Sequence, residues 1–359
     1  MQRAFWSIIC FFIFINCKIN AEITNRHSHS LVYVHIGPDL PSYLPIAIAQ
    51  ARLFNPDTPI YLIANSSAMS NYDCEDQKIH LVPIELLIPT KSHKKFKDRA
   101  KSNGFWRYTL ERFLYLDDFI QQYKLNNVFH AENDVMIYFN LEEKLHVFQE
   151  CYPKMIATTF DCDERSVPSF VYISDPMPSK QFAKYIAING LNGANDMSLL
   201  FDFKEKYYKK FGDHLPILIP AYVENRSLIN LANRTAKNVA PFINNIEKFQ
   251  LIFDAAAIGQ FLGGIDPILG NKGPGFIAEL SVFLTHHCTY QWKMDEKRRW
   301  VPHISYGGVT YPIANLHIHC KNLRAFYSLN QNFYPLPTQV WSSLPFERSC
   351  YYEILESVK

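Results

Sequence analysis

Short strands that are apolar on both faces, with a helical segment between them, restrict most strongly what this chain can fold into. Residues 31–36 (LVYVHI) and 60–64 (IYLIA) are β-branched, apolar runs, and residues 41–54 between them have apolar side chains at helical spacing. A strand without polar alternation is buried on both faces, and a helix that connects two such strands makes them parallel. The sequence therefore predicts an α/β fold with a mostly parallel central sheet flanked by helices.

The same alternation continues towards the C-terminus. Apolar periodicity predicts further strands at residues 79–82, 128–131, 155–159, 170–173 and 315–319, and further helices at residues 106–123 and 197–211. The sequence contains no internal repeat and no linker rich in glycine or serine. One domain over residues 30–330 is therefore the simpler interpretation, with residues 331–359 as a C-terminal extension that packs on it.

A basic segment, residues 91–101 (KSHKKFKDRAK), precedes the helix predicted at residues 106–123. Charge runs of this kind are typical of a solvated loop or helix face, which is the interpretation we favour; a mobile positive loop over an anionic ligand is the alternative. In the whole chain, however, Lys plus Arg outnumber Asp plus Glu by only 36 to 34. A dedicated nucleic-acid-binding protein needs a clear basic excess, so we expect no nucleic-acid partner.

The N-terminal residues are typical of an export signal. Arg3 precedes an apolar run at residues 4–17, and Ala21 is a small residue at a suitable cleavage position. The run is shorter than the roughly 20 residues that cross a bilayer, so residues 1–21 are predicted to be a cleaved signal peptide. An uncleaved signal anchor, which would attach the protein to a membrane, is the alternative. We therefore expect export, to the lumen of the secretory pathway or to the extracellular or periplasmic space.

Two carboxylates follow the strand predicted at residues 128–131. Glu132 and Asp134 flank Asn133, and side chains at the carboxyl ends of parallel strands face the ligand crevice of an α/β fold. Two carboxylates at that position can share a hard divalent cation, whose remaining ligands come from water or from a diphosphate. Mg²⁺ or Mn²⁺ suits such a site better than Zn²⁺ unless nitrogen or sulfur ligands are added.

The stretch at residues 109–141 resembles the core of the GT-A-fold glycosyltransferases, closest in pattern to the glycogenin and bacterial galactosyltransferase-like group. In that group a helix with an arginine precedes a strand that ends in an Asp-x-Asp motif, and Arg112, Glu132 and Asp134 stand at those positions. The resemblance implies a metal-dependent glycosyltransferase that uses a UDP- or GDP-sugar as donor and a carbohydrate-bearing acceptor. Glu132 replaces the first Asp of the motif, which makes Asp134 the firmer metal ligand.

The resemblance also assigns residues to the donor. It implies that Arg112 reaches towards the donor sugar, with an ordinary surface ion pair as the alternative. His35 in the first strand, together with Gly37 and Tyr43 after it, is implied to lie near the base and the ribose. Asn133 is expected to bind the nucleotide sugar from its position between the two carboxylates.

Two later segments complete the implied site. Asp254, within residues 253–260 (FDAAAIGQ), is implied to lie beside the transferred sugar, where it would orient hydroxyl groups or act as a general base; a helix N-cap is the alternative. The group has a late histidine that completes the metal shell and a lysine that contacts the diphosphate. His319 and Lys321 are assigned to these roles, with His317 as the substitute. The resulting oxygen and nitrogen ligands favour Mn²⁺, or Mg²⁺, as the cofactor.

Two other functions would use the same residues differently. A metal-dependent hydrolase would activate water with the carboxylates and histidines, although only His35 lies near the N-terminal strands, where a denser His/Asp cluster is usual. A secreted lectin-like module would keep the fold and bind carbohydrate without turnover. Glu132, Asp134 and His319 together argue against that module, so glycosyl transfer is the favoured hypothesis.

Overall fold

The computed structural model describes most of the chain. The predicted signal at residues 1–21 and the predicted extension at residues 331–359 lie outside the described residues. The described residues are 28–70, 72, 78–100, 104–162, 164–191, 194–225, 239–266, 270, 272–278 and 281–329. Within these ranges no helix has both the length and the apolar character that crossing a bilayer requires.

Strands and helices alternate along the chain as the sequence predicts. In chain order the strands are β1 (Ser30–Val34), β2 (Ile60–Ala64), β3 (Ile79–Pro83), β4 (Val128–Ala131), β5 (Val135–Ile137), β6 (Ile156–Cys162), β7 (Arg165–Ile173), β8 (Gly212–His214), β9 (Ile252–Phe253), β10 (Thr289–Met294), β11 (Trp300–Tyr306) and β12 (Val309–His317). The helices are α1 (Leu44–Phe54), α2 (Ser66–Met69), α3 (Lys91–Arg99), α4 (Phe105–Tyr123), α5 (Leu141–Cys151), α6 (Pro176–Asn189), α7 (Asp196–Tyr207), α8 (Pro220–Glu224), α9 (Ile246–Phe249) and α10 (Ala257–Gly263). Each predicted element overlaps an observed one, and the basic segment forms the exposed helix α3.

Seven strands form the first sheet, in the order β3-β2-β1-β4-β7-β6-β8. The strands from β3 to β4 run parallel, and β8 is parallel to β6, whereas β7 is antiparallel to both β4 and β6. The connection between β6 and β7 is too short for the crossover that a parallel pair needs, so these two strands form a hairpin. The prediction of an α/β fold with a mostly parallel sheet flanked by helices is confirmed.

A second, smaller sheet has the order β10-β11-β12-β5, and β9 pairs with β12 beside it. Its four strands are antiparallel to their neighbours. The sequence analysis predicted only part of β12, starting at residue 315 rather than at Val309, and did not predict this sheet. The reason is that β10 and the first half of β12 are partly exposed and mix polar with apolar residues, which weakens the pattern.

Both faces of the first sheet are covered, because alternate side chains of each strand point to opposite sides. On β1, Leu31 and Tyr33 belong to a core shared with α1, α5 and the second sheet. Val32 and Val34 belong to a second core on the other face, shared with α3, α4, α6 and α7. The sequence indicated this layered arrangement by strands that are apolar at every position. They are apolar because both of their faces are buried.

Candidate metal and nucleotide site

The chain crosses from the first sheet to the second at Glu132-Asn133-Asp134. These three residues link β4, in the first sheet, to β5, in the second. Backbone hydrogen bonds hold the link from both sides, because Glu132 N donates to Ser169 O at 3.1 Å and Ile318 N donates to Asp134 O at 2.9 Å. The two carboxylates therefore lie on a well-anchored connection where the two sheets meet.

His317 comes close to both carboxylates. It is the last residue of β12 and pairs with Val135 of β5, directly after Asp134. Its Nε2 atom is 3.3 Å from Glu132 Oε2 and 3.3 Å from Asp134 Oδ1. One possible ligand atom from each of the three residues lies within 4.8 Å of the other two. Strand register thus brings a nitrogen donor to the two acidic residues.

The spacing of these atoms fits a divalent cation. Two ligand atoms at right angles around a cation, each about 2.0–2.4 Å from it, are about 2.8–3.4 Å apart. The separations of 3.3 Å between the His317 nitrogen and the two carboxylate oxygens fall within that interval. A set of carboxylate oxygens and one imidazole nitrogen is acceptable to Mn²⁺. The residues therefore fit the metal that the resemblance implies.

Cations hold the outer oxygen of each carboxylate. Arg112 Nη1 donates to Glu132 Oε1 at 2.5 Å, and Lys321 Nζ donates to Asp134 Oδ2, while the other oxygen of each carboxylate faces His317. Burial alone would raise the pKa of both carboxyl groups, but the neighbouring cations outweigh it. The pKa of Glu132 is lowered, and the pKa of Asp134 lies well below its usual range. Both groups are ionised, as metal binding requires.

The backbone orients His317. Its Nδ1 atom lies 3.1 Å from Ala255 O, which can only accept a hydrogen bond, so Nδ1 carries a proton and Nε2 faces the carboxylates. Burial alone would lower the pKa of His317, but the charges of Asp134 and Glu132 raise it to about 9. The imidazole is therefore a cation without metal, and metal binding would replace the proton on Nε2.

His319, which the sequence analysis placed in the metal shell with His317 as substitute, lies outside this group. The three described residues that come together as possible ligands are Glu132, Asp134 and His317. The ring of His319 lies beside that of His317, with centroids 4.2 Å apart, and burial together with the neighbouring imidazole lowers its pKa to about 3. The rings thus lie on one side, as the alternation predicts, but strand β12 ends at His317, which pairs with Val135 directly after Asp134. Metal ligation itself stays a prediction.

Asp254, which the resemblance places beside the transferred sugar, is buried and bonded to the backbone. Its buried carboxylate accepts hydrogen bonds from three backbone N–H groups, those of Ile258 at 3.0 Å, Gly259 at 2.9 Å and His317 at 3.0 Å. These bonds occupy both oxygens, cap the start of α10 and tie that helix to the end of β12. Asp254 thus bonds the first turn of α10 from two residues before its N-cap, Ala256, and its role beside the sugar stays a prediction. Asp254 thereby helps to hold His317 in place.

Gly259 allows α10 to approach β12 so closely. A Cβ atom at this position would lie 2.0 Å from His317 O and 2.7 Å from His317 C. Both distances are shorter than a non-bonded contact allows, so only glycine fits here. The sequence analysis did not identify Gly259. The available signal was the run of small residues at 255–257 (AAA) just before it.

Arg112 forms ion pairs with two carboxylates, Glu132 and Asp196. Its Nη1 atom binds Glu132, and its Nη2 atom donates to Asp196 Oδ2 at 2.6 Å, at the start of α7. The arginine is buried. The structure thus shows an ion pair, although in a buried position rather than on the surface, and Arg112 orients a candidate metal ligand. Its role towards the donor sugar stays a prediction. Asp196 was missed because no local pattern indicates that residues 112 and 196 meet.

The residues predicted to bind the nucleotide lie next to the carboxylates. Asn133 Nδ2 is 3.3 Å from His35 Nδ1, and Lys321 Nζ is 5.6 Å from the centre of the Tyr43 ring. Within the described ranges, His35 Nε2 and Asn133 Oδ1 are buried and have no hydrogen-bond partner. A Cβ atom on Gly37 would lie only 3.1 Å from His35 Nε2, so the glycine leaves space beside that atom. Buried polar atoms without partners are suited to a polar ligand.

No family model and no curated protein matches this sequence. Several solved structures are similar in fold. Mouse xyloside xylosyltransferase 1 is 9% identical, with a TM-score of 0.36 over 55% of this chain and 90% of that chain. The galactosyltransferase LgtC is 12% identical, with a TM-score of 0.36 over 55% and 78% of the two chains. The glycosyltransferase GlyE of Streptococcus pneumoniae TIGR4 is 11% identical, with a TM-score of 0.34 over 56% and 49%.

A protein named for a different activity is similar at the same level. A putative glucose-1-phosphate thymidylyltransferase of Bacillus anthracis is 11% identical, with a TM-score of 0.32 over 52% of this chain and 87% of that chain. The first sheet, with helices on both faces, has the mixed α/β architecture that the sequence predicts. The fold alone does not determine the reaction, because one fold serves several activities.

Proposed function

We propose that this chain is a metal-dependent glycosyltransferase of the hexosyltransferase type, which moves a sugar from a nucleotide-diphosphate sugar to a carbohydrate-bearing acceptor. The observation that carries the proposal is the group of Glu132, Asp134 and His317 where the two sheets meet, with one possible ligand atom of each facing the others. Two oxygens and one nitrogen at this spacing suit Mn²⁺ or Mg²⁺.

The side chains around this group suit the departure of a nucleoside diphosphate. A bound metal ion would supply positive charge beside the phosphate oxygens on which negative charge develops. Lys321 adds a cation at the same place, since its Nζ atom contacts Asp134. Carboxylates such as Glu132 favour the positive charge that builds up on the sugar carbon as the bond to the leaving group breaks.

The nucleoside part of the donor is assigned to the end of β1. His35 Nε2 and Asn133 Oδ1 are two of the buried polar atoms that lack a hydrogen-bond partner among the described residues, and ribose hydroxyls or a base edge can supply one. The ring of Tyr43, beside Lys321, offers an apolar face for packing. A UDP- or GDP-sugar is the donor class that we propose.

Calorimetric titration of the protein with UDP and with GDP, each with and without Mn²⁺, tests this proposal. We expect nucleotide binding that requires the metal, and slow hydrolysis of one sugar nucleotide from a panel. Asp134→Asn is expected to lower that turnover by at least about a hundredfold, because it removes a ligand charge while keeping the shape of the side chain. Asp202→Asn, an exposed position on α7, is the matched control and is expected to retain activity.

Other results would favour the two alternative functions. Binding of sugars but of no nucleotide would support a lectin-like module. Metal binding without any nucleotide affinity, together with hydrolysis of unrelated esters, would support a metal-dependent hydrolase. Wild-type turnover in Asp134→Asn would remove that residue from the mechanism.

We also propose that the protein is exported, on the basis of the apolar run at residues 4–17 that follows Arg3. N-terminal sequencing of the protein recovered from its source would show cleavage after residue 21 if the signal is removed. An intact N-terminus in a membrane fraction would indicate the signal anchor instead, and an intact N-terminus in the cytosol would contradict export.

A further inference from the structure

Helices α3 and α6 lie side by side on the outer side of the first sheet and form a strongly basic surface. Arg99 Nη1, at the end of α3, donates to Ala187 O of α6 at 3.4 Å. Together the two helices contain seven Lys or Arg residues and one Asp. The whole chain has a formal charge of only +2, so its positive charge is concentrated here. This surface, with the apolar residues described next, is called the basic layer.

The lysines of the basic layer are available to a partner. In the part of the chain that the structure describes, no carboxylate forms an ion pair with the following exposed side chains: Lys91, Lys94, Lys95, Lys180 and Lys184. Elsewhere on the protein, Lys248 and Arg299 are paired with nearby carboxylates. The positive charges of these lysines are therefore not neutralised by neighbouring carboxylates, and the basic layer has a positive electrostatic potential.

Large apolar side chains are exposed at the two ends of the basic layer. Among the described residues, ten large apolar side chains are exposed, and six of them lie on α4, on α6 or just before α3. These six are Ile88, Phe105, Trp106, Tyr108, Met177 and Ile188. Phe105 is 70% exposed and Ile88 is 68% exposed. Apolar side chains that cluster on a monomer surface mark an interaction site more often than scattered ones do.

Three helix ends meet at one end of the basic layer. A Cβ atom on Gly190, directly after α6, would lie 3.1 Å from Leu110 Cδ1 of α4 and 3.2 Å from Phe96 Cε2 of α3. The start of α4, with the Phe105–Trp106 ring pair at 5.1 Å, thus adjoins the ends of α3 and α6. Phe105, Trp106 and Ile188 therefore lie at this end of the basic layer. Ile88, whose N–H donates to Gln122 near the end of α4, and Met177, next to Pro176, whose carbonyl accepts from Gln121, lie at the other end.

We propose that the basic layer docks on an anionic phospholipid surface. Lysines attract anionic headgroups, and aromatic side chains at a membrane surface insert to the depth of the headgroups. Aliphatic side chains such as Ile88 and Ile188 gain from contact with acyl chains but have no ring to stack on a sugar, which favours a membrane over an anionic glycan. The proposal goes beyond the transfer reaction and does not depend on it.

Sedimentation of the full chain with phospholipid vesicles tests the docking. We expect tighter binding to vesicles of phosphatidylcholine mixed with phosphatidylglycerol than to phosphatidylcholine alone, and weaker binding as salt is raised. Lys94→Glu with Lys95→Glu, and separately Trp106→Ala, are each expected to weaken binding to the mixed vesicles by at least about tenfold. Any contribution of residues 1–21 is the same in all variants, so it cancels in the comparison.

A matched control keeps the test specific. Lys293→Glu with Lys297→Glu changes the same charge at exposed positions of the β10–β11 hairpin and is expected to leave vesicle binding unchanged. Equal binding of wild type and both basic-layer variants would overturn the proposal, and so would equal binding to neutral and anionic vesicles. Binding to heparin with no binding to either vesicle would also overturn it, in favour of an anionic glycan. Circular dichroism of each variant identifies any that fails to fold, and a variant with exposed Lys180→Glu then replaces it.

Discussion

His317 and His319 share a sequence motif but not an environment. His317 Nε2 is 3.3 Å from two carboxylate oxygens, and its Nδ1 atom is tied to a backbone carbonyl. His319 Nε2 is buried with no hydrogen-bond partner among the described residues. A His-x-His motif alone therefore does not identify the ligand, whereas the groups around each ring do.

Replacing each histidine by alanine separates the two assignments. We expect His317→Ala to weaken Mn²⁺ binding by at least about tenfold, because one of three candidate ligands is lost, and His319→Ala to change it by less than about threefold. Calorimetric titration with Mn²⁺ measures both affinities. A larger loss in His319→Ala than in His317→Ala would favour the assignment made from the sequence over the one made from the geometry.

His214, away from the candidate metal site, makes the free energy of unfolding depend on pH. His214 on β8 is buried, its ring centroid is 3.9 Å from that of Phe160, and neither ring nitrogen has a hydrogen-bond partner among the described residues. Burial, with a further contribution from the charge of Lys204, lowers the pKa of His214 well below its usual value. The imidazole is thus neutral in the folded protein and binds a proton only when the chain unfolds.

The sign of the pH effect follows from this difference. In the unfolded chain His214 has a pKa of about 6.5. Above this pH the imidazole is neutral in the folded and in the unfolded chain. Below it only the unfolded chain binds the proton, so the free energy of unfolding falls as pH falls. We expect His214→Phe to reduce the slope of unfolding free energy against pH by up to about 1.4 kcal/mol per pH unit between pH 6 and 5. Urea denaturation at several pH values measures the slope. An unchanged slope would contradict the prediction, and His146→Gln, at an exposed position on α5, is the control.

At the scale of elements, the joint between α10 and β12 determines where His317 lies. Asp254 accepts hydrogen bonds from two backbone N–H groups of α10 and from His317 N, and Gly259 lets the two backbones touch. Because these contacts involve the backbone on both sides, they position the end of the strand itself. A carboxylate that the resemblance assigned to chemistry thus has a positioning role.

Gly259→Ala tests this joint. The added Cβ atom would lie 2.0 Å from His317 O, so α10 must move away from β12. We expect the variant to lose at least about 2 kcal/mol of unfolding free energy and to bind Mn²⁺ more weakly than wild type. Gly273→Ala is the matched control, because its Cβ atom would meet no atom within 4 Å. Denaturation and metal titration are the measurements, and equal values for the two variants would contradict the role of Gly259.

At the scale of the whole molecule, the candidate ligands join two sheets. Glu132 and Asp134 lie on the link between β4 and β5, and His317 ends β12 of the second sheet. A metal ion bound to all three would connect layers that are otherwise held by packing and by the strand pairs of the second sheet. A ligand that binds only the folded state stabilises it in proportion to the logarithm of its concentration above Kd.

Thermal unfolding with and without Mn²⁺ tests this connection. At a metal concentration about 100 times Kd we expect about 2.7 kcal/mol of added stability, which raises Tm by several degrees. Asp134→Asn is expected to abolish the metal-dependent shift, and EDTA to reverse it in the wild type. The same shift in wild type and Asp134→Asn would show that the ion binds elsewhere.

Several features of the site followed from local sequence. A strand that ends in Glu132-Asn133-Asp134 was predicted to present carboxylates at a sheet edge, and the structure places them at the link that leaves the first sheet. The resemblance assigned His35, Asn133 and Lys321 to the donor, and in the structure Asn133 lies beside His35 and Lys321 contacts Asp134. Their role in binding the donor stays a prediction. Arg112 was also identified, but its partner Asp196 was not.

The sequence by itself determined the class of the fold and the acidic strand end, because burial on both faces requires a local, continuous apolar pattern that is legible in a few residues. Only the tertiary structure decided which histidine faces the carboxylates, that Asp254 caps a helix, and that Lys321 reaches Asp134, 187 positions earlier in the chain. The physical reason is that these contacts depend on where β12 ends and how closely α10 packs against it. Such positions result from pairing and packing between distant segments, for which no short stretch of sequence carries a signal.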